Sequence, residues 1–374
     1  MKISKSSALW LLIGLFTLSC TQKNYNQTTG NQHFNYQNGN TIEIDDIDNF
    51  LKHQIDSLKI PGLSIAFFNE KKIVYQKSMG VKNIETKEQV TDSTLFDAAS
   101  ISKAVFAFFT MKMVDKGIIE LDTPLYTYLE YPAIAHDDRY QKITARMALS
   151  HSTGFQNWRY LDADGNYDPQ GKLRIDFEPG TNYQYSGEAF QYLAAVLAHQ
   201  LGTDRNGLES YMEEEIFIPL EMGVSSYTWN EHLDQHRTHG HVNNELNVGY
   251  GCSAKYPNFN AASSLQTQST YYANFLIALM NGNLLSAKSQ SEILSVQSER
   301  EETEQKPGVK YGLGIIIEEG PYGTNYAHSG DNGSHTSQFV FNLEQKSGYV
   351  FFTNMENGRK NIFEHNLKSF LVKH

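Results

Sequence analysis

The segment FDAASISKAVFAFFTMKMVDKG, residues 96–117, decides how the rest of the chain can fold. Its apolar residues supply more apolar surface than one face of a surface helix needs, so we expect a helix from Ser100 to Lys116 buried inside a domain. Gly117 is the expected C-terminal cap of this helix. These apolar residues are Val105, Phe106, Phe108, Phe109, Met111, Met113 and Val114. Lys103 is the exception, because a lysine is almost never fully buried without a partner.

Ser100 and Lys103 form the only Ser-x-x-Lys in the chain. Residues three apart at a helix start lie on one face, so the lysine amine can reach the serine oxygen. A neutral amine could accept the serine proton, but this requires a pKa about 3 units below the usual value, which costs roughly 4 kcal/mol. Burial in an apolar lobe can lower the pKa that far. The alternative is a serine N-cap followed by a surface lysine.

The chain divides into three expected segments: a signal peptide (1–19), a polar tether (20–43) and a folded domain (44–374). A basic start, MKISKSS, precedes the apolar run ALWLLIGLFTL, which is too short to span a bilayer and is typical of a secretory signal. FTLSC resembles a bacterial lipoprotein cleavage box, in which Cys20 would carry the lipid. We therefore expect an exported protein, periplasmic or at the cell surface and anchored to a membrane, with plain secretion as the alternative. Cys252 would then have no disulfide partner.

Strand patterns occur at both ends of the domain, and helical patterns dominate the middle. The expected strands are LSIAFFN, KIVYQKSMGV, YGLGIIIEEG, TNYAHSG, HTSQFVFNLEQ and SGYVFFTNM. The clearest helices besides the first are IDDIDNFLKHQIDSLKIPG, EAFQYLAAVLAHQLG, QSTYYANFLIALMNG and RKNIFEHNLKSFLVKH. This order predicts an α+β fold, with one antiparallel β-sheet built from both chain ends and flanked by terminal helices. A mainly helical lobe is inserted in the middle, and the cleft beside it is the expected site.

Five motifs in order now carry a family resemblance. AASISK resembles the nucleophile motif of the serine β-lactamase and penicillin-binding-protein superfamily. ITARMALSHSTGF, PGTNYQYSGEAFQYL, YGLGIII and HSGDNGSHTSQFVF are similar to successive segments of its class C branch. That branch also holds D-alanyl-D-alanine carboxypeptidases, D-aminopeptidases and esterases. The resemblance covers residues 45–370 and implies a β-lactamase/transpeptidase-like fold.

The resemblance also implies catalytic roles for three residues. Ser100 would be the acylated nucleophile and Lys103 its partner. Tyr185 would carry protons between the serine, the leaving group and water. A tyrosine is a useful base only if neighbouring cations favour its phenolate, and Lys103 is the expected cation, which would make the two a coupled pair.

Four further residues are implied to bind substrate. His328 and Gly330 would line an edge strand, and the backbone N–H groups of Asp331 and Ser100 would form the oxyanion hole. Two positions depart from the family. Gly187 stands where the family has an asparagine that binds the acyl amide, and His328 stands where it often has a lysine. We expect weak recognition of carboxylates at neutral pH, improving towards about pH 5.5 as the imidazole gains a proton.

The remaining candidates favour simpler interpretations. HLDQHRTHGH holds four histidines in a segment expected to be a loop, without a complete ligand pattern, so we expect no metal. They are His232, His236, His239 and His241. His151 could be a general base, but the resemblance makes it a packing residue. The chain has no Gly-x-Ser-x-Gly, so an esterase of the α/β-hydrolase type is unsupported. It has no glycine-rich phosphate loop, and we expect no cofactor. Its net charge of -11 argues against a nucleic-acid partner.

Together these observations predict a serine hydrolase that forms an acyl-enzyme. The substrate would be an ester, amide or lactam, either a small molecule or a fragment of peptidoglycan. The two departures favour an esterase or peptidase over an efficient β-lactamase. The alternative is a non-catalytic protein on the same fold that senses penicillins or peptidoglycan fragments. A pure binding protein would need none of Ser100, Lys103 and Tyr185, which argues against that alternative.

Overall fold

The structure is a computed structural model that describes residues 32–161, 166–247, 253–303, 308–320 and 322–373. The expected signal peptide, Cys20 and Cys252 therefore lie outside the described residues. Among the helices within these ranges, none has both the length and the apolar character needed to cross a bilayer.

The described helices and strands follow the order expected from the sequence. The helices are α1 (Ile44–Leu58), α2 (Ser102–Asp115), α3 (Ala145–Leu149), α4 (Gly187–Gln200), α5 (Leu208–Met212), α6 (Glu231–His236), α7 (Ser269–Asn281), α8 (Ala287–Leu294) and α9 (Asn357–Lys373). The strands are β1 (His33–Asn35), β2 (Thr41–Glu43), β3 (Gly62–Asn69), β4 (Lys72–Gly80), β5 (Phe96–Asp97), β6 (Gly240–Val242), β7 (Glu245–Asn247), β8 (Gln266–Thr267), β9 (Ser298–Arg300), β10 (Val309–Tyr311), β11 (Ile316–Gly320), β12 (Gly323–Asp331), β13 (Thr336–Asn342) and β14 (Ser347–Thr353).

Both chain ends contribute to one large antiparallel sheet. Its strand order is β4-β3-β14-β13-β12-β11-β10-β9. Strand β3, near the N-terminus, pairs with β14, near the C-terminus, from Leu63 opposite Thr353 to Asn69 opposite Ser347. The α+β fold class predicted from the sequence is therefore confirmed.

The two faces of this sheet hold separate hydrophobic clusters. Alternate side chains of a strand point to opposite faces. Ile65 and Phe67 of β3 pack with residues of the terminal helices, such as Leu51 of α1 and Phe363 of α9. Phe68, on the other face, belongs to the larger cluster that includes the apolar residues of α2, α4 and α7. As expected, the terminal helices share one face and the central helices cover the other.

The tether expected for residues 20–43 ends earlier than predicted. Strands β1 and β2 form an antiparallel hairpin, in which Phe34 lies opposite Ile42. Both side chains are buried, and the ring of Phe34 contacts those of Phe67 and Tyr75. The expectation was wrong here because this mainly polar segment contains a few apolar residues. Packing them against the sheet removes their apolar surface from water, which is favourable.

Helix α2 begins two residues later than expected. The α-helix starts at Ser102, and Ser100 lies in the 3₁₀ turn before it, formed by residues 99–101. Gly117 has a φ of 70°, and its N–H donates to Val114 O at 2.9 Å, which confirms the expected glycine cap. Along α2, side chains are buried on all sides rather than on one face.

The strand expected over YGLGIIIEEG is two strands, β10 and β11, separated by a turn. Within the turn, Gly314 has a φ of 76°, a backbone conformation that favours glycine. A Cβ at this position would lie 2.7 Å from the Cβ of Ala107 and 2.9 Å from Lys103 O. The chain bends here because the turn packs directly against the start of α2.

Candidate active site

The turn that carries Ser100 is held in a strained conformation. Ala99, just before the serine, has a φ of 46°, which is uncommon for a residue with a side chain. Its N–H donates to Asp97 Oδ1 at 2.7 Å, and Ser337 Oγ donates to Ala98 O at 2.6 Å. These bonds come from neighbouring elements and fix the position of Ser100, whose side chain remains partly accessible.

Lys103 is fully buried beside this serine. Its Nζ donates to Ala262 O at 2.8 Å and to Ser100 Oγ at 3.3 Å, and lies 4.7 Å from the centre of the Tyr185 ring. Burial lowers the pKa of Lys103 from 10.5 to about 7, and no carboxylate among the described residues counteracts this effect. Near neutral pH, a large fraction of this amine is therefore uncharged and able to accept a proton. The lowered pKa that Lys103 needs in order to act as a base is therefore present.

Tyr185 makes a hydrogen bond with Ser100, so its phenol also reaches the candidate nucleophile. Burial raises the pKa of Tyr185, and the hydrogen bond with Ser100 offsets only part of this effect. The phenol thus stays protonated at neutral pH. The expectation that a Lys103 cation favours the phenolate is reversed, since the lysine amine is the stronger candidate base and the tyrosine a proton donor.

His151 fixes the backbone around Tyr185. Its carbonyl oxygen accepts a hydrogen bond from Gln184 N–H at 2.8 Å, and its Nδ1 accepts one from Ser186 N–H at 3.1 Å. The imidazole also packs on the Tyr185 ring, with 4.3 Å between ring centres. It is fully buried, and burial lowers its pKa well below 6.5. These contacts agree with the packing role expected for His151, although the hydrogen bonds to the residues on both sides of Tyr185 were not anticipated.

One end of β12 is open beside the serine turn. Strand β11 pairs with β12 only as far as Ala327, so residues 328–331 pair with β13 alone among the described strands. A Cβ on Gly330 would lie 2.3 Å from Ala98 O, so only a glycine lets β12 approach this closely. Asp331 follows directly, which brings its segment alongside that of Ser100. The oxyanion hole formed by their N–H groups stays a prediction.

His328 is more deeply buried than expected, at 3% exposure. Its Nδ1 lies 2.8 Å from Ser329 O, and its Nε2 lies 2.9 Å from the Tyr311 hydroxyl. Since a carbonyl can only accept, we assign the proton to Nδ1, and Nε2 then accepts from Tyr311. Burial, together with Lys103 nearby, lowers the pKa of His328 to about 3. The expected gain of charge near pH 5.5 is therefore wrong, because the ring stays neutral there.

Gly187 is the first residue of α4, two residues after Tyr185. Its N–H donates to Asn157 Oδ1 at 2.9 Å. A Cβ built on it would lie 2.4 Å from Cη2 of Trp158, so the indole occupies the space of a side chain at this position. The sequence revealed the missing asparagine but not the ring that replaces it. The one signal available was the pair of aromatic residues in the segment NWRY.

The histidine-rich segment does not form a metal site within the described residues. Among them, no group of three or more His, Cys, Asp or Glu side chains is arranged to hold an ion. His241 instead accepts a hydrogen bond from Ile84 N–H at 3.2 Å through Nε2, and its Nδ1 lies 3.0 Å from Asn354 O. His232 and His236 stack on each other, with 4.2 Å between ring centres.

Comparison with known proteins assigns the chain to a family. Residues 47–369, more than half of the sequence, match the family model described as beta-lactamase. The chain belongs to the beta-lactamase family. It is 22% identical over 313 residues to penicillin-binding protein 4* of Bacillus subtilis, covering 76% of this chain and 66% of that protein. It is 19% identical over 205 residues to protein flp of Staphylococcus aureus, covering 52% and 40%.

Solved structures with the beta-lactamase fold superpose on most of this chain. A penicillin-binding protein from Bacillus halodurans has a TM-score of 0.69 at 18% identity, covering 84% of this chain and 98% of that one. A class C beta-lactamase has a TM-score of 0.69 at 17% identity, covering 87% and 95%. An octameric penicillin-binding protein homologue from Pyrococcus abyssi has 0.68 at 19%, covering 84% and 74%. At these identities, the likeness establishes the fold alone. The chain spans about two fifths to two thirds of the curated relatives above.

Proposed function

We propose that this protein is a serine hydrolase that forms an acyl-enzyme on Ser100. The observation that carries the proposal is the contact between Ser100 Oγ and the amine of Lys103, 3.3 Å away. A fully buried lysine without a carboxylate partner among the described residues costs stability, and such a cost is expected where the amine performs chemistry.

In the proposed cycle, Lys103 and Tyr185 transfer protons during acylation and again during deacylation. Neutral Lys103 accepts the Ser100 proton while Oγ attacks the substrate carbonyl, and the N–H groups of Ser100 and Asp331 stabilise the oxyanion. The leaving group departs with the Tyr185 proton, which the Lys103 ammonium then replaces. Water attacks the acyl-enzyme and gives its proton to the neutral amine. The tetrahedral adduct collapses as Ser100 Oγ leaves with a proton returned through Tyr185 and Lys103.

Covalent labelling tests this proposal. We expect a fluorophosphonate probe to label the wild type and the Ser93→Ala control, and Ser100→Ala to remain unlabelled and inactive while keeping its thermal stability. Turnover by Ser100→Ala at the wild-type rate would remove this serine from the mechanism. A fluorescent penicillin that binds the wild type without any ester or lactam turnover would favour the alternative, a sensor on the same fold.

Neutral esters and amides are the substrates that the site favours over β-lactams. His328 offers a neutral imidazole whose Nε2 is engaged by Tyr311, so a substrate carboxylate meets no positive charge there. Gly187 has no side-chain amide that could bind the acyl amide of a β-lactam. We expect p-nitrophenyl butyrate to be hydrolysed with a higher kcat/KM than benzylpenicillin. Better hydrolysis of the penicillin would contradict this assignment.

Export and lipid attachment at Cys20 complete the proposal. Their support is the basic start, the short apolar run and the FTLSC sequence at the N-terminus. We expect the protein in the membrane fraction and Cys20→Ser in the soluble fraction. A wild-type protein without an acyl chain by mass spectrometry would instead indicate plain secretion.

A further inference from the structure

Trp158 lies on the same side of the chain as the phenol of Tyr185. Ser186, between Tyr185 and Gly187, is extended, with φ -144° and ψ 118°. In extended backbone, side chains two apart point to the same side, so a side chain at position 187 would point where Tyr185 points. The Ser186 hydroxyl is turned away and accepts a hydrogen bond from Ala189 N–H at 3.1 Å. Because the indole fills the position of a 187 side chain, it borders the candidate site.

Residues on both sides of Trp158 fasten it to the first turn of α4. Asn157 Oδ1 accepts from Gly187 N–H, and Asn157 O accepts from Glu188 N–H at 3.0 Å. Arg159 donates to both carboxylate oxygens of Glu188, at 2.9 Å from Nε and 2.6 Å from Nη2. Glu188 is only 3% exposed, and a bidentate pair of this kind is strong and directional. The indole is therefore held in place rather than carried on a free loop.

Two further aromatic side chains continue outward from Trp158. The Tyr160 ring is nearly parallel to the indole, at 10° and 5.9 Å between centres, and Tyr167 lies 6.2 Å beyond it. Tyr160 is 41% exposed and Tyr167 73% exposed. We call Trp158, Tyr160 and Tyr167 the aromatic strip. The exposed fraction rises from Tyr160 to Tyr167, so the aromatic strip runs from position 187 towards solvent.

We propose that Trp158 selects substrates whose acyl part carries a flat apolar ring, which the aromatic strip contacts face to face or edge to face. The inference rests on the proposed hydrolase function and names the substrate class of that site. Aromatic pairs attract beyond the area they bury. A sugar would need free hydrogen-bonding groups beside the rings. Asn157 Oδ1 already accepts a hydrogen bond from Gly187, and the Arg159 guanidinium already donates to Glu188, so the surroundings favour an apolar ring.

Esters that share one leaving group test the selection. We expect the wild type to hydrolyse p-nitrophenyl phenylacetate with at least tenfold higher kcat/KM than p-nitrophenyl acetate. Trp158→Ala should lose this preference, and Trp158→Phe should keep most of it. Trp229→Ala is the matched control, because its indole donates to Asp234 rather than filling position 187. A wild type without the preference, or an equal loss for both esters in Trp158→Ala, would overturn the inference.

Binding to the unreactive Ser100→Ala protein separates this inference from the proposed function. Phenylacetamide should bind more tightly than acetamide, and the additional Trp158→Ala change should abolish the difference. This binding preference without ester turnover in the wild type would refute the hydrolase and support the role of Trp158. Turnover without any acyl preference would do the reverse. Competition by N-acetylglucosamine but not by phenylacetamide would overturn the assignment of an apolar ring.

Discussion

Lys103 and Lys360 are both buried, and their surroundings differ in one decisive respect. Lys103, at the start of α2, is 0% exposed, and Lys360, in α9, is 4% exposed. The ammonium of Lys360 lies 2.9 Å from Glu364 Oε2. The contacts of Lys103 are instead a carbonyl oxygen and the hydroxyl of Ser100. Burial removes both amines from water, which is unfavourable for an ammonium. Of the two, only Lys360 offsets part of this cost by attraction to an opposite charge.

A neighbouring carboxylate distinguishes a structural buried lysine from one prepared for chemistry. Around Glu364, hydrogen bonds led by that from Lys368 lower the pKa of the carboxyl to about 2 against the effect of burial. Lys360 therefore belongs to an ion-pair network in which Glu364 contacts both Lys360 and Lys368. Burial alone lowers the pKa of Lys103 to about 7, which prepares its amine for proton transfer. The two regions make opposite predictions for the same substitution.

The largest expected effect is on activity. Lys103→Met should lower kcat/KM for p-nitrophenyl butyrate by about 10²–10⁴, the usual contribution of a general base. Lys360→Met is the matched control and should retain wild-type kcat/KM, because its side chain stabilises α9 and not the site. Steady-state kinetics on both variants decides the matter. Comparable activities in the two variants would remove the amine of Lys103 from the mechanism.

The same pair should change stability in opposite directions. The pKa of Lys103 falls from 10.5 to about 7 on folding, and at about 1.4 kcal/mol per pKa unit its burial costs on the order of 5 kcal/mol below pH 7. Between about pH 7 and 10.5 only the unfolded chain holds this proton, so the cost fades as pH rises. Lys103→Met should therefore stabilise the protein strongly at pH 6 and little at pH 10.5.

Lys360→Met should instead lower the free energy of unfolding by about 1–3 kcal/mol, because Glu364 loses a partner. Urea denaturation of both variants at pH 6 and pH 10.5 measures these differences. A destabilised Lys103→Met at pH 6 would mean that its amine is better compensated in the folded protein than its contacts indicate.

The third effect is the pH dependence of the wild type. Protonation of Lys103 well below pH 7 should lower kcat/KM about tenfold per pH unit, which amounts to about fiftyfold between pH 7 and 5. His328, whose pKa is lowered to about 3, should add no inflection in this range. The measurement is a kcat/KM profile from pH 4.5 to 9 with a neutral ester. A flat profile across pH 7 would show that another group accepts the serine proton.

The smallest expected effect comes from placing another amine near Lys103. His328→Lys should shift the preference towards benzylpenicillin over p-nitrophenyl butyrate by about tenfold, as expected for one charge-assisted hydrogen bond. A like charge should also move the acid limb of the pH profile to lower pH. His328→Gln, which stays neutral, is the control. An unchanged ratio in His328→Lys would show that this position does not contact the carboxylate.

Local patterns were sufficient for much of this protein. Alternating and 3.6-residue apolar periods located β3, β4, α1 and α9, and the order of the strands predicted a sheet closed by both chain ends. Ser-x-x-Lys at the start of a largely apolar helix predicted the pair of Ser100 and Lys103, and the resemblance of the later motifs to the family implied Tyr185 and His328. The periodic elements and the Ser-x-x-Lys pair depend on neighbours along the chain, so local sequence was sufficient to predict them.

Long-range packing decided the rest. Whether Lys103 is charged depends on its burial without a carboxylate partner in the part of the chain that the structure describes, and the neutrality of His328 depends on burial and on Tyr311. Trp158 fills the space beside Gly187 although 29 residues of sequence separate them. Sequence patterns could not predict these points, because pKa values and cavity filling depend on groups distant in sequence that folding brings within a few ångströms.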